Sequence, residues 1–380
     1  MALTQETEPP FISPGSIEEL QREELQIPVI VERDGTLRAK ITDSCGLACT
    51  FCHNEGTPVA LKRGSQALRV SIYEDSNGVD FISTDMHADD TFRYALDGIV
   101  NAVDTQELHW TGGEPTLSRS IVPLTRIAVN EFGLTVKMTS NGERGSKGLE
   151  ELAEAGLSGV NFSVFGTTAE ELAEVQPTEQ LSSGWAERKL DNLLIGVETA
   201  KALGMRTTAN IVMRNEADSA RIERILLLTD PEVLLRVQAD LSSQGDGWSA
   251  IYKMLLKLGA RPVEASITAG TSDAKIKYML PDGRPVVFKR FLSERLPDTC
   301  NGCQYNNDID CTEGFYGIRL YAERDNKYRV GVCIRRMDLT VPIGEFLSST
   351  LPDEINSFRQ AHFDEWSNVP AKKLLERINR

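Results

Sequence analysis

Leu37-Arg-Ala-Lys-Ile-Thr42 leads, two residues later, into Cys45-Gly-Leu-Ala-Cys49-Thr-Phe-Cys52. The first run alternates apolar and polar residues, the period of a strand with one buried face. The second places three of the chain's seven cysteines within eight residues, spaced C-x3-C-x2-C. Thiolate sulfur is the protein ligand of iron–sulfur clusters. Three thiolates hold three irons of a four-iron cluster and leave the fourth open for chemistry. A structural zinc site would show paired C-x2-C knuckles, and only Cys49 and Cys52 have that spacing. A disulfide framework fits poorly with an odd cysteine count in a long chain.

Downstream of this strand and loop the chain repeats a strand-then-helix rhythm. Leu108-His-Trp110 reads as a strand ending at Thr111-Gly112-Gly113-Glu114-Pro115, with a helix over Ile121–Phe132. Leu134–Asn141, Gly159–Phe165, Met205–Met213 and Val233–Gln238 read as further strands. Helices are expected near 89–104, 148–155, up to Leu203, 217–228 and 249–258. Such alternation implies a parallel sheet. Six strands, counting Leu37–Thr42, predict an α/β fold: a partial (β/α)6 TIM-type barrel. Chemistry in such barrels sits at the C-terminal strand ends. The cysteine loop, Gly112–Glu114 and Asn141 all fall there.

The flanks read differently. Residues 1–29 form a lead-in rich in Pro and Glu (Pro9, Pro10, Pro14) with one short helix, and Asp34-Gly35 signals a hairpin between Pro28–Arg33 and Leu37–Thr42. The barrel is expected over 30–260. Beyond it a hairpin (Lys275–Leu280 and Val286–Phe288 around Pro281-Asp-Gly283) precedes Cys300, Cys303, Cys311 and Cys333, spaced x2, x7 and x21. Ile318–Tyr321 and Tyr328–Val332 read as strands around Asp325-Asn326. This suggests an auxiliary-cluster domain over 261–340 and a helical tail over 341–380, with a helix at Glu354–Trp366. The four cysteines most simply hold a second [4Fe–4S] cluster. A zinc site is the alternative, because four cysteines with one C-x2-C pair are also zinc-like.

The chain has 380 residues, 41% hydrophobic and 26% charged, the composition of a globular enzyme. No apolar run approaches the span of a membrane helix. The N-terminus lacks the basic start and apolar stretch of a signal peptide, so a cytoplasmic protein is expected. A net charge of −15 argues against nucleic acid or an anionic membrane as partner.

The C-x3-C-x2-C loop followed by Gly112-Gly113-Glu114-Pro115 resembles the radical S-adenosylmethionine (radical SAM) superfamily. The resemblance implies that Cys45, Cys49 and Cys52 ligate a [4Fe–4S] cluster whose open iron chelates S-adenosylmethionine. It implies that Gly112, Gly113, Glu114 and Pro115 hold the amino group of that cofactor. Ser140, Asn141, Asn161 and Ser163 resemble positions at the ribose and carboxylate, and Asn210 and Val212 positions at the adenosine. Strand-end polar residues also satisfy backbone groups, so each of these has a purely structural alternative. An external reductant such as flavodoxin or ferredoxin is implied as well.

Within the superfamily, Leu37–Cys45, Gly159–Phe165, Gly204–Met213 and Leu235-Arg236 are similar to the molybdenum-cofactor GTP 3′,8-cyclase. That enzyme carries three cysteines at its second cluster, where this chain has four. Arg319 matches one of its two neighbouring arginines, and Gly317 stands in the other's place. These departures suggest a relative with another substrate. The expected reaction is hydrogen abstraction from a nucleotide, nucleoside or sugar-derived small molecule, followed by cyclisation or rearrangement. Arg38, Lys40 and Arg319, with Arg335 and Arg336 behind them, are the candidate anion-binding residues. The alternatives are a peptide-modifying maturase with one auxiliary cluster, and a non-catalytic zinc-binding or electron-transfer protein on this scaffold.

Overall fold

A computed structural model describes residues 15–379, apart from 58, 64–65, 71–75, 177–182 and 241–243. Pro9, Pro10 and Pro14 of the expected lead-in lie outside the described residues. In chain order the strands are β1 (Val29–Arg33), β2 (Thr36–Lys40), β3 (Val59–Arg63), β4 (Gln66–Val70), β5 (Glu107–Thr111), β6 (Thr135–Ser140), β7 (Leu157–Ser163) and β8 (Arg206–Met213). They continue with β9 (Leu234–Ala239), β10 (Arg261–Ala269), β11 (Asp273–Met279), β12 (Pro285–Phe291), β13 (Ile318–Glu323), β14 (Lys327–Gly331) and β15 (Val341–Pro342).

The six expected barrel strands are present and parallel: β2, β5, β6, β7, β8 and β9 pair in that order. The intervening helices cover their outer face. The helix Asp90–Val103 begins where the Asp89 carboxylate accepts the Phe92 N–H at 3.0 Å, a side-chain N-cap. It buries Phe92, Ala95, Leu96, Ile99 and Val103, one stripe at helical spacing. Each larger side chain of that stripe contributes about 1.5–3 kcal/mol by leaving water. Trp110, fully buried on β5, donates to Thr125 on the helix Ile121–Asn130 at 3.0 Å. It is a packing residue, not part of the site.

The expected hairpin between β1 and β2 does not form. β1 pairs parallel with β10, and β2 pairs parallel with β5 and β13. Gly35 O instead accepts the N–H groups of Gln106 and Glu107, at 2.8 and 3.0 Å, while Asp34 turns to the guanidinium of Arg359. The main sheet runs β1-β10-β11-β12-β9-β8-β7-β6-β5-β2-β13-β14-β15. Two residues join β1 to β2, yet they stand nine places apart in that order. The sheet must therefore curl round on itself, and inward side chains from β1, β2 and β5 to β13 enclose a lumen. Arg261–Ala269, not anticipated as a strand, is the β10 that carries the curl from the antiparallel pair β11–β12 back to β1. The strands on both sides of residue 260 thus share one sheet.

The C-terminal helices Leu351–Asn368 and Ala371–Ile378 pack behind it, and the second was not foreseen. No helix among the described residues is long and apolar enough to cross a membrane.

Candidate active site

The lumen is a cavity of about 1450 Å³. Because β2 and β5 to β9 are parallel, the segments after them gather at one end. Cys45, Cys49 and Cys52 line the cavity there, with Gly112, Gly113, Ser140, Asn141, Asn161, Ser163, Asn210 and Val212. The cysteine loop lies against the glycines: Gly113 N–H donates to Thr42 O at 2.8 Å and Glu114 N–H to Ser44 O at 2.7 Å. A Cβ on Gly113 would overlap the Asp43 and Ser44 carbonyls, so only glycine admits this approach.

Two side chains reach the sulfurs. Asn141 Nδ2 lies 3.5 Å from Cys45 Sγ, and Gln176 Nε2 lies 3.4 Å from Cys49 Sγ. Gln176 Oε1 also accepts the Ala48 N–H at 2.6 Å, which fixes the loop from both sides. Burial pushes the Cys45 and Cys49 thiols up, and that of Cys52 to about 11. Three such thiols become thiolates when metal binds them. Donors aimed at sulfur suit that charge, so the loop fits an iron–sulfur cluster. Among the described residues no three His, Cys, Asp or Glu side chains stand in the arrangement of a single-ion site. A four-iron cube spreads its ligating sulfurs more widely than one ion does.

Several expected residues take other positions. Glu114 is fully buried and off the cavity wall. Its carboxylate accepts from Thr116 N at 3.0 Å, Ser140 Oγ at 2.8 Å and Asn141 N at 2.6 Å. Burial raises its pKa above the ordinary carboxylate value despite these bonds. Pro115 is buried beside it. Lys40 points away from the lumen, to Asp43 and Thr57. Arg38 and Arg319 do line the cavity, but Glu55 binds both: Arg38 Nη2 at 2.8 Å and Arg319 Nε at 2.7 Å. The anticipated anion pocket is thus internally neutralised.

Other cations hold the lumen wall. Arg236 on β9 lines it, and its Nε has no hydrogen-bond partner among the described residues. In the pairing register Arg236 stands opposite Val287, and Gln238 opposite Lys289 on β12. Lys289 donates to the Tyr316 hydroxyl, which donates to Asp273 at 3.2 Å. Lys275 pairs with the other Asp273 oxygen at 2.6 Å. Asn210 Oδ1, also on the wall, is a buried acceptor without a partner among the described residues. Glu55, Gln176, Lys275, Lys289, Tyr316 and Asp273 carried no spacing signal, because the topology alone assembles them.

Cys300, Cys303, Cys311 and Cys333 come together in a second, small cavity that also includes Arg335, with Tyr305 beneath its guanidinium. Arg336 Nη1 lies 3.5 Å from Cys303 Sγ. Burial pushes the Cys300 thiol up to about 11, and the neighbouring Cys333, Cys311 and Cys303 add to this. Four converging thiols with a donor on one of them fit a second cluster.

Comparison with known proteins agrees with the geometry of the first cysteine loop. The Radical SAM superfamily profile matches residues 39–228, half of the chain. The GTP 3′,8-cyclase of Chlorobaculum tepidum is 28% identical over 180 residues, covering 46% of this chain and 47% of that enzyme. The one from Paracoccus denitrificans is 27% identical over 292 residues, covering 73% and 74%. The chain spans about half the length of the first curated relatives it matches. A crystal structure of Streptococcus suis SuiB bound to S-adenosylmethionine aligns with TM-score 0.46 and 13% identity, over 95% of this chain and 72% of that one. With three cysteines gathered at the C-terminal end of six parallel strands and half its length matching the profile, the chain belongs to the radical SAM superfamily and is an enzyme of that class.

Proposed function

We propose that this enzyme binds a [4Fe–4S] cluster and S-adenosylmethionine at the lumen mouth and takes hydrogen from a small anionic molecule, for cyclisation or rearrangement. A nucleotide, or an anionic nucleoside or sugar derivative, is the substrate class. The observation that carries this reading is the lumen: a cavity of about 1450 Å³ with Arg236, Lys275 and Lys289 on its wall. When bound, the reduced cluster and S-adenosylmethionine supply a 5′-deoxyadenosyl radical, with the electron drawn from a reductant such as flavodoxin or ferredoxin.

The chain's own residues hold and orient. Cys45, Cys49 and Cys52 would ligate the first cluster, and Cys300, Cys303, Cys311 and Cys333 a second. The Phe51 and Phe165 rings, 5.2 Å apart, give the cysteine loop an apolar flank. Glu114 acts through Ser140 and Asn141, whose positions it fixes on the wall. Asn210 Oδ1 is an open acceptor suited to an exocyclic amine of adenine. Arg236 offers a guanidinium to a phosphate or carboxylate.

Two measurements test this. Wild type and a Cys45/Cys49/Cys52→Ala variant are reconstituted anaerobically, and iron and 5′-deoxyadenosine are assayed. About eight irons falling to about four, with loss of 5′-deoxyadenosine, is the expected result for two four-iron clusters. No cleavage with a full first cluster, in the presence of a nucleotide panel, would remove the reading. Arg236→Ala should weaken nucleoside triphosphate binding roughly tenfold or more, the scale of a hydrogen bond to a charged group. Cleavage of S-adenosylmethionine should stay within about twofold, since no cofactor contact is lost. Equal nucleotide affinity in the variant would reject the anionic substrate class.

A further inference from the structure

Tyr316 stands where the lumen and the second cysteine cavity back onto each other. It is half-buried and lines the lumen, whereas Phe315, the residue before it, lines the cysteine cavity. Phe315 N–H donates to Glu294 O at 2.6 Å and its carbonyl accepts from Ser272 N at 2.8 Å, so the main chain beside the tyrosine is held on both sides. β12 runs parallel to β9, and Asp273 opens β11 opposite Phe291 at the end of β12. The Tyr316 hydroxyl bonds to Asp273, which places the phenol at the same end of the lumen as the cysteine loop.

That hydroxyl is set between a cation and a carboxylate. It accepts from Lys289 Nζ and donates to Asp273 Oδ1 at 3.2 Å. Asp273 faces Lys275 at 2.6 Å, and its Oδ2 accepts from Thr268 Oγ1 at 3.4 Å. Phe291 frames the ring at 5.6 Å between centroids, and the guanidinium carbon of Arg38 lies 5.5 Å from the ring centre. Burial, and then Asp273, raise the phenol's pKa against Arg38 and Arg236, so the hydroxyl keeps its hydrogen at neutral pH. Apart from the three cysteines of the loop, Tyr316 is the only phenol, thiol, thioether or indole among the described residues that line the lumen. A phenolic O–H bond is weaker than an aliphatic C–H bond, so an unstabilised carbon radical gains by taking that hydrogen.

We propose that Tyr316 is a catalytic residue, the hydrogen-atom donor that ends the radical reaction in this lumen. This rests on the proposal that the lumen is the seat of that reaction. The Tyr316 O–H bond breaks, a C–H bond forms on the carbon radical, and a phenoxyl is left on the protein. One electron from the flavodoxin- or ferredoxin-type reductant and one proton from the Lys289 ammonium, which already donates to that oxygen, restore the phenol. Solvent then reprotonates Lys289. Because the hydrogen comes from the protein and not from 5′-deoxyadenosine, S-adenosylmethionine is consumed in each turnover.

The test uses the full chain with both cysteine sites reconstituted anaerobically, given S-adenosylmethionine and dithionite in D2O with no substrate added. The phenolic hydrogen exchanges with solvent, whereas aliphatic hydrogens on carbon do not. Wild type should therefore yield 5′-deoxyadenosine carrying a solvent deuterium in its new methyl group, and Tyr316→Phe should lose that label. Melting temperature and iron content check that the variant folds and loads. A second arm needs no variant: freeze-quenched wild type should show an organic radical by electron paramagnetic resonance, and its signal should narrow when the tyrosines are ring-deuterated. Unlabelled 5′-deoxyadenosine from wild type, label retained in a folded and loaded Tyr316→Phe, or a radical signal unmoved by ring deuteration would each overturn the proposal. No 5′-deoxyadenosine at all from loaded wild type, with or without the nucleotide panel, would remove the function proposed above, a separable result.

Discussion

Arg319 Nε donates to Glu55 Oε2 at 2.7 Å across 264 residues of chain, which fastens β13 to the segment just after the cysteine loop. Glu55 also binds Arg38 on β2, and its own carbonyl accepts the Tyr321 hydroxyl at 2.7 Å. Burial alone would raise the Glu55 carboxyl, but Arg38 and Arg319 outweigh it and hold it well below the usual carboxylate range. Glu55→Gln leaves the half-buried Arg38 without its counter-charge and the buried Arg319 with Glu313 alone, at 3.3 Å. Breaking a buried pair costs about 3–5 kcal/mol, so a large fall in the urea midpoint is expected at pH 7. A depressed carboxyl stabilises fully above its unfolded value and loses that contribution as pH falls through the folded value. The gap between wild type and Glu55→Gln should therefore shrink below about pH 4.5, the ordinary glutamate range. A gap that stays constant with pH would show that the effect is steric.

The same carboxylate shows where sequence reading stops. The six parallel strands, the cysteine loop at their C-terminal ends and the cysteines after residue 290 were legible, because periodicity and spacing are local. The partners of Arg38, Lys40 and Arg319 were not. An arginine reads alike whether it faces a phosphate or a glutamate, and only the register β13–β2–β5 sets Arg38 beside Arg319. The Asp34-Gly35 turn misled for a related reason. A two-residue connection signals a hairpin when neighbouring strands pair with each other, whereas here the curl of the sheet brings β1 and β2 together without ladder bonds. β10 escaped notice because Arg261–Ala269 lies where the helix–strand alternation ends.

Gly113→Ala tests the contact between the glycines and the cysteine loop. The added methyl overlaps the Asp43 and Ser44 carbonyls, and these are backbone atoms that cannot rotate away. The loop must shift, so the first cluster should assemble poorly while the second, far along the chain, is untouched. Iron per chain should fall from about eight towards about four, the share of one cluster. S-adenosylmethionine binding should weaken by roughly tenfold or more, about 1.4 kcal/mol. Full iron loading with normal affinity would mean that the loop absorbs the methyl elsewhere.

Gln176→Leu removes a donor to Cys49 sulfur and an acceptor for the Ala48 N–H while keeping much of the side-chain volume. Hydrogen bonds to cluster sulfurs stabilise the more negative, reduced state and are one of the levers on its potential. The first cluster of the variant should therefore be harder to reduce. A redox titration monitored by electron paramagnetic resonance, on the Cys300/Cys303→Ala background to silence the second site, reads this directly. An unchanged or raised midpoint would show that Gln176 serves the loop backbone only.

Lys289 on β12 faces Asp273 and Lys275 of β11, Arg236 of β9, Arg38 of β2 and the Tyr316 hydroxyl. Burial, the largest influence, pushes its ammonium down to about 7; Asp273, 3.8 Å away, opposes this, and Arg236, Arg38 and Lys275 add to it. The unfolded lysine titrates near the ordinary value of about 10.4. Between those limits the unfolded chain binds more protons than the folded one, so stability contributed by this site rises with pH. Lys289→Met keeps the length of the stem and removes the titrating group. From about pH 7.5 to about pH 9.5, wild type should gain stability relative to the variant, at up to about 1.4 kcal/mol per pH unit. Urea midpoints of both proteins across that range give the difference free of other titrations. Parallel curves would mean that Lys289 keeps an ordinary ammonium in the fold, paired with Asp273 at every pH.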